Sequence, residues 1–156
     1  YTKDNIKNST IIRPFNVFGL AGTREVKRDT LVPTCFIKSL KEKNYIELLS
    51  NGKQYRDFIS LNEINKKIYK IFYNSKFDNK IVNLCCGASF KILDIAKISL
   101  KVFNKHSKYK GFIKINNKDK KKYKKLKASS VFFKKTNIKT LKNELKNEIE
   151  KLLLAI

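Results

Sequence analysis

Thr10-Ile11-Ile12-Arg13-Pro14-Phe15 and Lys80-Ile81-Val82-Asn83-Leu84-Cys85 are two short aliphatic runs stopped by turn formers, Pro14 within the first and Gly87 beyond the second. Each reads as a short strand buried on both faces, as parallel strands are. The residues between them alternate in type. A helix is expected from Leu31 to about Lys43, capped by Asp29 or Thr30, with Pro33 in its first turn and Phe36, Ile37 and Leu40 as its apolar stripe. Cys35 is expected in that helix's core. Tyr45 to Leu49 is strand-like, Asn51-Gly52 is a turn signal, and Gln54 to Ile59 returns as a strand, a hairpin pattern. A helix follows from about Leu61 to Tyr73, with Asn62 as a cap and Ile64, Ile68, Ile71 and Phe72 at helical spacing.

The same alternation continues after the second strand. Ser89 is placed to cap a helix carrying Ile92, Ile95, Ala96, Leu100 and Phe103. Phe112 to Ile115 is a short strand, and Leu141 to Leu154 is an amphipathic helix with Leu141, Leu145, Ile149 and Leu152 in register. Alternating strands and helices imply an α/β architecture. The 156 residues suffice for one domain, or for part of a larger one. No methionine occurs, so the sequence is expected to be processed or to be a piece of a longer protein, and residue 1 is not expected to mark a domain boundary.

Lysine and arginine number 36 against 13 acids, an excess that attracts phosphate-bearing partners. Only Arg13, Arg24, Arg28 and Arg56 are arginines; the lysines accompany many Asn, Ile and Phe, whose codons are also A/T-rich. The excess peaks between Lys101 and Lys127, where Asp119 is the one acid. No zinc-finger spacing, RNP aromatic motif or GXXG clamp accompanies it. A solvated loop is the expected reading, with a polyanion-binding patch as the alternative.

Familiar catalytic sets are missing. The glycines (Gly19, Gly22, Gly52, Gly87 and Gly111) make no dinucleotide-binding turn and no P-loop. His106 is the single histidine and sits among lysines, which suits a surface residue better than a base. One histidine and no C-x-x-C pair leave no metal-ligand set. Adjacent Cys85 and Cys86 read as buried thiols of a reducing compartment. No apolar run is long enough to cross a bilayer.

Two polar constellations remain. The first strand ends in Asn16, between Phe15 and a bend at Gly19. Later, Arg56 stands beside Asp57 inside the apolar string Tyr55-Arg56-Asp57-Phe58-Ile59. An arginine fork suits a diphosphate, which it grips bidentately. The other reading of the same residues is a local Arg56–Asp57 ion pair.

The strings Ile12-Arg13-Pro14-Phe15-Asn16-Val17-Phe18-Gly19, Asn51-Gly52-Lys53-Gln54-Tyr55-Arg56-Asp57-Phe58-Ile59 and Val82-Asn83-Leu84 occur in this order. Together they resemble the second half of the NAD-dependent nucleotide-sugar epimerase/dehydratase family, over about residues 9 to 104. The resemblance implies the C-terminal part of a Rossmann-like, doubly wound parallel sheet plus a small α/β substrate-binding subdomain. It assigns 9–20 and 61–104 to the sheet, and 21–60 and 105–156 to the subdomain. It also implies NAD or NADP as cofactor and a nucleotide sugar as substrate. The glycine turn for the cofactor and the Tyr-x-x-x-Lys pair would lie in an N-terminal half that this sequence lacks. Tyr1 has Asn5 at the lysine position, so no catalytic residue is expected here.

Carried over position by position, the backbone of Phe15 would lie near the nicotinamide. Asn16 would hydrogen-bond the sugar diphosphate. Thr30 and Leu31 would meet it through amides at a helix start, and Arg56 would clamp it. Glu47 to Leu49 would lie against the base, largely through backbone groups. The family's late Arg-x-x-Asp element matches only Asn116-Asn117-Lys118-Asp119, where Lys118 stands as a substitute for the missing arginine. The implied function is the substrate-binding half of a nucleotide-sugar epimerase or dehydratase, in the cytoplasm, with a homodimer as the assembly the family suggests. A basic nucleic-acid-binding module and an inactive remnant of the family are the alternatives; nucleic acid and membrane are not the expected partners.

Overall fold

The structure is a computed structural model that describes residues 9–20, 30–116 and 118–155. The expectations placed on Tyr1, Asn5, Gly22, Asp29 and Asn117 fall outside the described residues. In chain order the first elements are β1 (Ile11–Pro14), β2 (Asn16–Phe18), α1 (Thr34–Lys43), β3 (Tyr45–Leu48), β4 (Tyr55–Ser60) and α2 (Leu61–Phe72). After a 3-10 turn at Ser75–Phe77 come β5 (Ile81–Leu84), β6 (Ser89–Lys91), α3 (Ile92–His106), β7 (Phe112–Ile115) and α4 (Ile138–Ala155).

The two aliphatic runs meet as expected: β1 and β5 are parallel, with Ile12 opposite Val82. Val82 and Leu84 are buried, but β1 is not buried on both faces, and Ile11 is 50% exposed. The cause is that β1 pairs with β5 alone among the described strands. At Phe15 the chain makes its last bond to β5, from its N–H to the Leu84 carbonyl at 3.1 Å. It then crosses to β4, which lies parallel to β2 and antiparallel to β6. A third parallel pair joins β3 and β7. The architecture is thus mixed α/β with parallel strand pairs.

The expected hairpin between Tyr45–Leu49 and Gln54–Ile59 does not form, because each strand has other partners. Asn51 and Gly52 turn the chain for a different reason. The Asn51 side chain donates to the carbonyls of Asp119 and Lys121, both at 2.9 Å, and its N–H donates to the Asp119 carboxylate at 3.0 Å. The Gly52 carbonyl accepts from Leu93 N–H at 3.0 Å. The turn is therefore a clamp on the basic segment. Beyond that clamp the lysines at 120, 121, 122, 124 and 125 are exposed, and the segment has no regular structure, as a solvated loop would.

Three helix starts differ from expectation. Helix α1 begins at Thr34, after Pro33, so Thr30 is not its cap; the Cys35 N–H bonds back to the Leu31 carbonyl at 2.8 Å in a turn before the helix. Proline carries no N–H and restricts the residue before it, which shortens the helix from its front. Helix α2 is capped by Ser60 and not Asn62, because the Ser60 hydroxyl accepts the Glu63 N–H at 3.1 Å. Ser89 belongs to β6, with its hydroxyl on the Leu126 carbonyl, and the start of α3 is closed by Asp94 accepting the Lys91 N–H at 3.1 Å. Helix α4 buries Leu141, Leu145, Ile149 and Leu152 as its spacing predicts, packing on α1 and α3.

The thiols divide. Cys35 is exposed on α1, against expectation, because the buried stripe of that helix runs through Phe36, Ile37 and Leu40. Cys85 and Cys86 are buried, and burial pushes both thiols up, Cys86 to about 11. A thiol whose folded pKa exceeds its ordinary 9.0 favours the unfolded chain once that chain ionises, so stability is lost as pH rises from 9.0 toward 11. At pH 8 a disulfide-exchange reagent should label Cys35 in a fast phase and the other two only as the protein unfolds. Equal rates for all three thiols would contradict this burial.

Candidate substrate cleft

A cavity of about 670 Å³ opens where β2, β3 and β4 converge. Phe15, Asn16, Thr30, Leu31 and Arg56, the residues singled out in the sequence, all line it. Glu47, Leu48, Leu49 and Ser50 form part of its wall, and Phe58 and Ile92 add apolar surface.

Strand alternation decides between the two readings of Arg56. Successive side chains of β4 point to opposite faces. Arg56 is exposed on the cavity side, with Nη1 on the Tyr55 carbonyl at 3.1 Å. Asp57 is fully buried on the other side, accepting Cys86 N–H at 2.8 Å and Ala88 N–H at 3.0 Å. The two do not pair, and among the described residues Arg56 makes no ion pair. A guanidinium facing an open cavity is placed to meet an anion. Burial pushes the Asp57 carboxyl above its ordinary range, partly offset by the backbone N–H groups of Cys86, Gly87 and Ala88 and by Lys67.

Asn16 is the first residue of β2, just past the step at Phe15. Its amide nitrogen donates to the Asp57 carbonyl at 2.9 Å, which fixes the side chain and leaves its second amide proton and its oxygen for another partner. The register Asn16 opposite Phe58 brings it close to Arg56. Thr30 and Leu31 reach the cavity from the turn before α1 and not from its first turn. The amides of Phe36 and Ile37 are already spent on the Pro33 carbonyl, at 3.0 and 3.1 Å.

Among the described residues no strand pairs with the other edge of β3, where the Ser39 hydroxyl donates to the Tyr45 carbonyl at 2.7 Å. The partner of β3, β7, is bonded through the carbonyls of Asn44 and Leu48, which accept from Phe112 and Asn116 at 3.2 and 3.1 Å. The N–H and C=O of the odd-numbered Glu47 therefore point away from β7, and Glu47 lines the cavity. Asn116 and Asp119 do not line it. The Asn116 side chain holds the Leu49 carbonyl at 3.2 Å, and Asp119 is engaged by Asn51, Lys121 and Tyr123. His106 is exposed at the end of α3 beside Glu150.

The model of the NAD-dependent epimerase/dehydratase family matches residues 1–85, more than half of the chain. The chain belongs to that family. Similar solved structures share its fold at low identity. UDP-glucose 4-epimerase of Thermotoga maritima, solved with UDP-glucose, is 14% identical with a TM-score of 0.68, over 98% of this chain and 48% of its own. UDP-glucuronic acid 4-epimerase of Bacillus cereus, in complex with UDP-glucuronic acid and NAD, is 21% identical with a TM-score of 0.67, over 94% of this chain and 46% of its own. RMD of Pseudomonas aeruginosa, complexed with NADPH, is 16% identical with a TM-score of 0.60, over 92% of this chain and 46% of its own. The chain thus spans less than half the length of these relatives. No curated protein matches it. Among the described residues no helix is long and apolar enough to cross a membrane, and no cluster of metal-ligating side chains is present.

In the sequence the five glycines are not spaced as a dinucleotide-binding turn, and the Phe15 N–H is bonded to β5. What sequence reasoning missed is the buried side of β4: Asp57 as the anchor of residues 86–88, and Lys67 beneath it. Period-two alternation would have separated Asp57 from Arg56. Lys67 lies three residues after Ile64 and four before Ile71, so helical spacing would have placed it on their buried face of α2.

Proposed function

We propose that this chain forms the nucleotide-sugar-binding half of an NAD(P)-dependent epimerase or dehydratase. The observation that carries the reading is the Arg56 guanidinium, without an ion pair among the described residues, sharing one cavity with Asn16, Thr30 and Leu31. Arg56 and Asn16 hold the diphosphate, one by a charged fork and one by an amide already fixed on β4. The edge of β3 at Glu47 offers one donor and one acceptor to a base, which is the pairing an imide or amide edge of a nucleobase supplies in reverse. The sugar then extends from the diphosphate toward the part of the relatives' fold that this chain does not span. That part supplies the cofactor turn and the Tyr/Lys pair, so the sheet elements at 9–20 and 61–104 and the subdomain at 21–60 and 105–156 act as the substrate handle. Binding energy from the nucleotide, remote from the reacting carbon, orients the sugar. Buried, reduced Cys85 and Cys86 suit the cytoplasm, where nucleotide sugars are made and used.

Calorimetric titration of UDP, GDP and dTDP into the chain tests this. Saturable binding of at least one nucleoside diphosphate is expected, with nothing comparable for NAD. A flat titration for all three diphosphates would overturn the reading.

A further inference from the structure

A second cavity, of about 610 Å³, lies beside α2 and shares no lining residue with the substrate cleft. Its volume falls within the range of roughly 300–1,000 Å³ common to small-ligand sites. Lys66, Lys70, Lys76 and Lys134 line it, with Tyr69 and Tyr73 along the helix. Among the described residues Glu63 is its one carboxylate, and that group is taken by Lys67 at 3.3 Å.

Three features separate this cavity from ordinary lysine-rich surface. First, Lys67 is 4% exposed, with its ammonium on the Cys85 carbonyl at 2.9 Å and 5.3 Å from the centre of the Phe133 ring. A cation fixed by a carbonyl, a carboxylate and a ring makes a rigid wall, and because Lys67 neutralises Glu63 the other lysines set the charge of the cavity. Second, Tyr69 and Tyr73 are 66% and 68% exposed, with ring centres 4.6 Å apart. Among the described residues no element covers these two rings, and large exposed rings mark a contact surface. Third, Lys66 and Lys70 lie one turn apart on the surface of α2, and Tyr69 is followed four residues later by Tyr73, the residue that ends the helix. Rings and cations thus run side by side into one cavity.

Aromatic faces beside lysines are what a base and its phosphate require together. We infer that this cavity is a second site, binding a nucleotide unit with its base against Tyr69 and Tyr73 and its phosphate on Lys66, Lys70 and Lys134. The unit is either a free nucleotide or one residue of a single strand, which share this chemistry. The site stands independently of the function proposed for the Arg56 cleft.

The test uses the Arg56→Ala protein, so that the cleft does not compete, and titrates AMP, inorganic phosphate and fluorescein-labelled oligoadenylate. AMP should bind more tightly than phosphate. Adding Tyr69→Ala and Tyr73→Ala should weaken AMP about tenfold or more, with an unchanged thermal melt because both rings are exposed. Lys122→Ala with Lys124→Ala, in the solvated loop, should leave AMP affinity as it was. Oligoadenylate binding far more tightly than AMP, and equally sensitive to the two rings, assigns the site to a strand; comparable affinities assign it to the free nucleotide. AMP affinity unmoved by loss of both rings, or matched by phosphate, would overturn the inference.

Discussion

Arg56→Ala is expected to weaken UDP binding by about 10- to 100-fold while leaving the melting transition in place. A hydrogen bond to a charged group contributes about 1.5–3 kcal/mol, and each 1.4 kcal/mol is a tenfold change in affinity. The guanidinium is exposed and its one described bond is to the neighbouring Tyr55 carbonyl, so the fold loses little when it goes. Arg56→Lys should fall between, since an ammonium keeps the charge but not the fork. The measurement is a calorimetric Kd for UDP with each variant, alongside a urea melt. Unchanged affinity for Arg56→Ala would remove the residue from the site. A large loss of stability would show that it is structural.

That prediction was partly legible in the sequence. Arg56 stood out because it lies beside Asp57 inside an apolar string, between Tyr55 and Phe58, which fixed it to a strand. Asn16 was marked by its place at a strand end, and the structure puts both on one cavity. Strands β1, β5 and β7 and helix α4 were legible because aliphatic runs and helical spacing are local signals. Pairing is not local. The pairs β3 with β7 and β4 with β2 and β6 join segments far apart in the chain, and a turn signal at Asn51-Gly52 suggested a nearer partner. Helix starts failed for a related reason. Thr30, Asn62 and Ser89 are all good capping residues, but α1 starts behind Pro33 with no side-chain cap, while Ser60 and Asp94 close the starts of α2 and α3. The second cavity was hidden because its walls come from α2 and from residues 132–134, which only the fold brings together.

The largest loss of stability is expected from the residue beside Arg56. Asp57→Ala should lower unfolding free energy by about 3–5 kcal/mol, seen as a shift of the urea midpoint. Two buried backbone donors, Cys86 N–H and Ala88 N–H, lose their acceptor, and a buried donor left unsatisfied costs roughly 1–3 kcal/mol. No water replaces it cheaply in a site where Asp57 is fully buried and Cys86 lies beneath the chain. Gly87, between the two donors, turns with φ +71°, a conformation that glycine adopts without strain. Asp57→Asn should be milder, because its amide oxygen keeps one acceptor while its NH₂ faces a donor. The pair also separates by pH. Burial raises the Asp57 carboxyl above 3.8, so the folded state holds its proton longer than the unfolded state does. Its contribution is then greatest below 3.8 and declines as pH rises through the raised pKa. The advantage of the natural protein over Asp57→Asn should shrink across that window and stay level above it. An advantage that grows with pH would mean that the three N–H groups and Lys67 outweigh burial, and that the carboxylate is held charged.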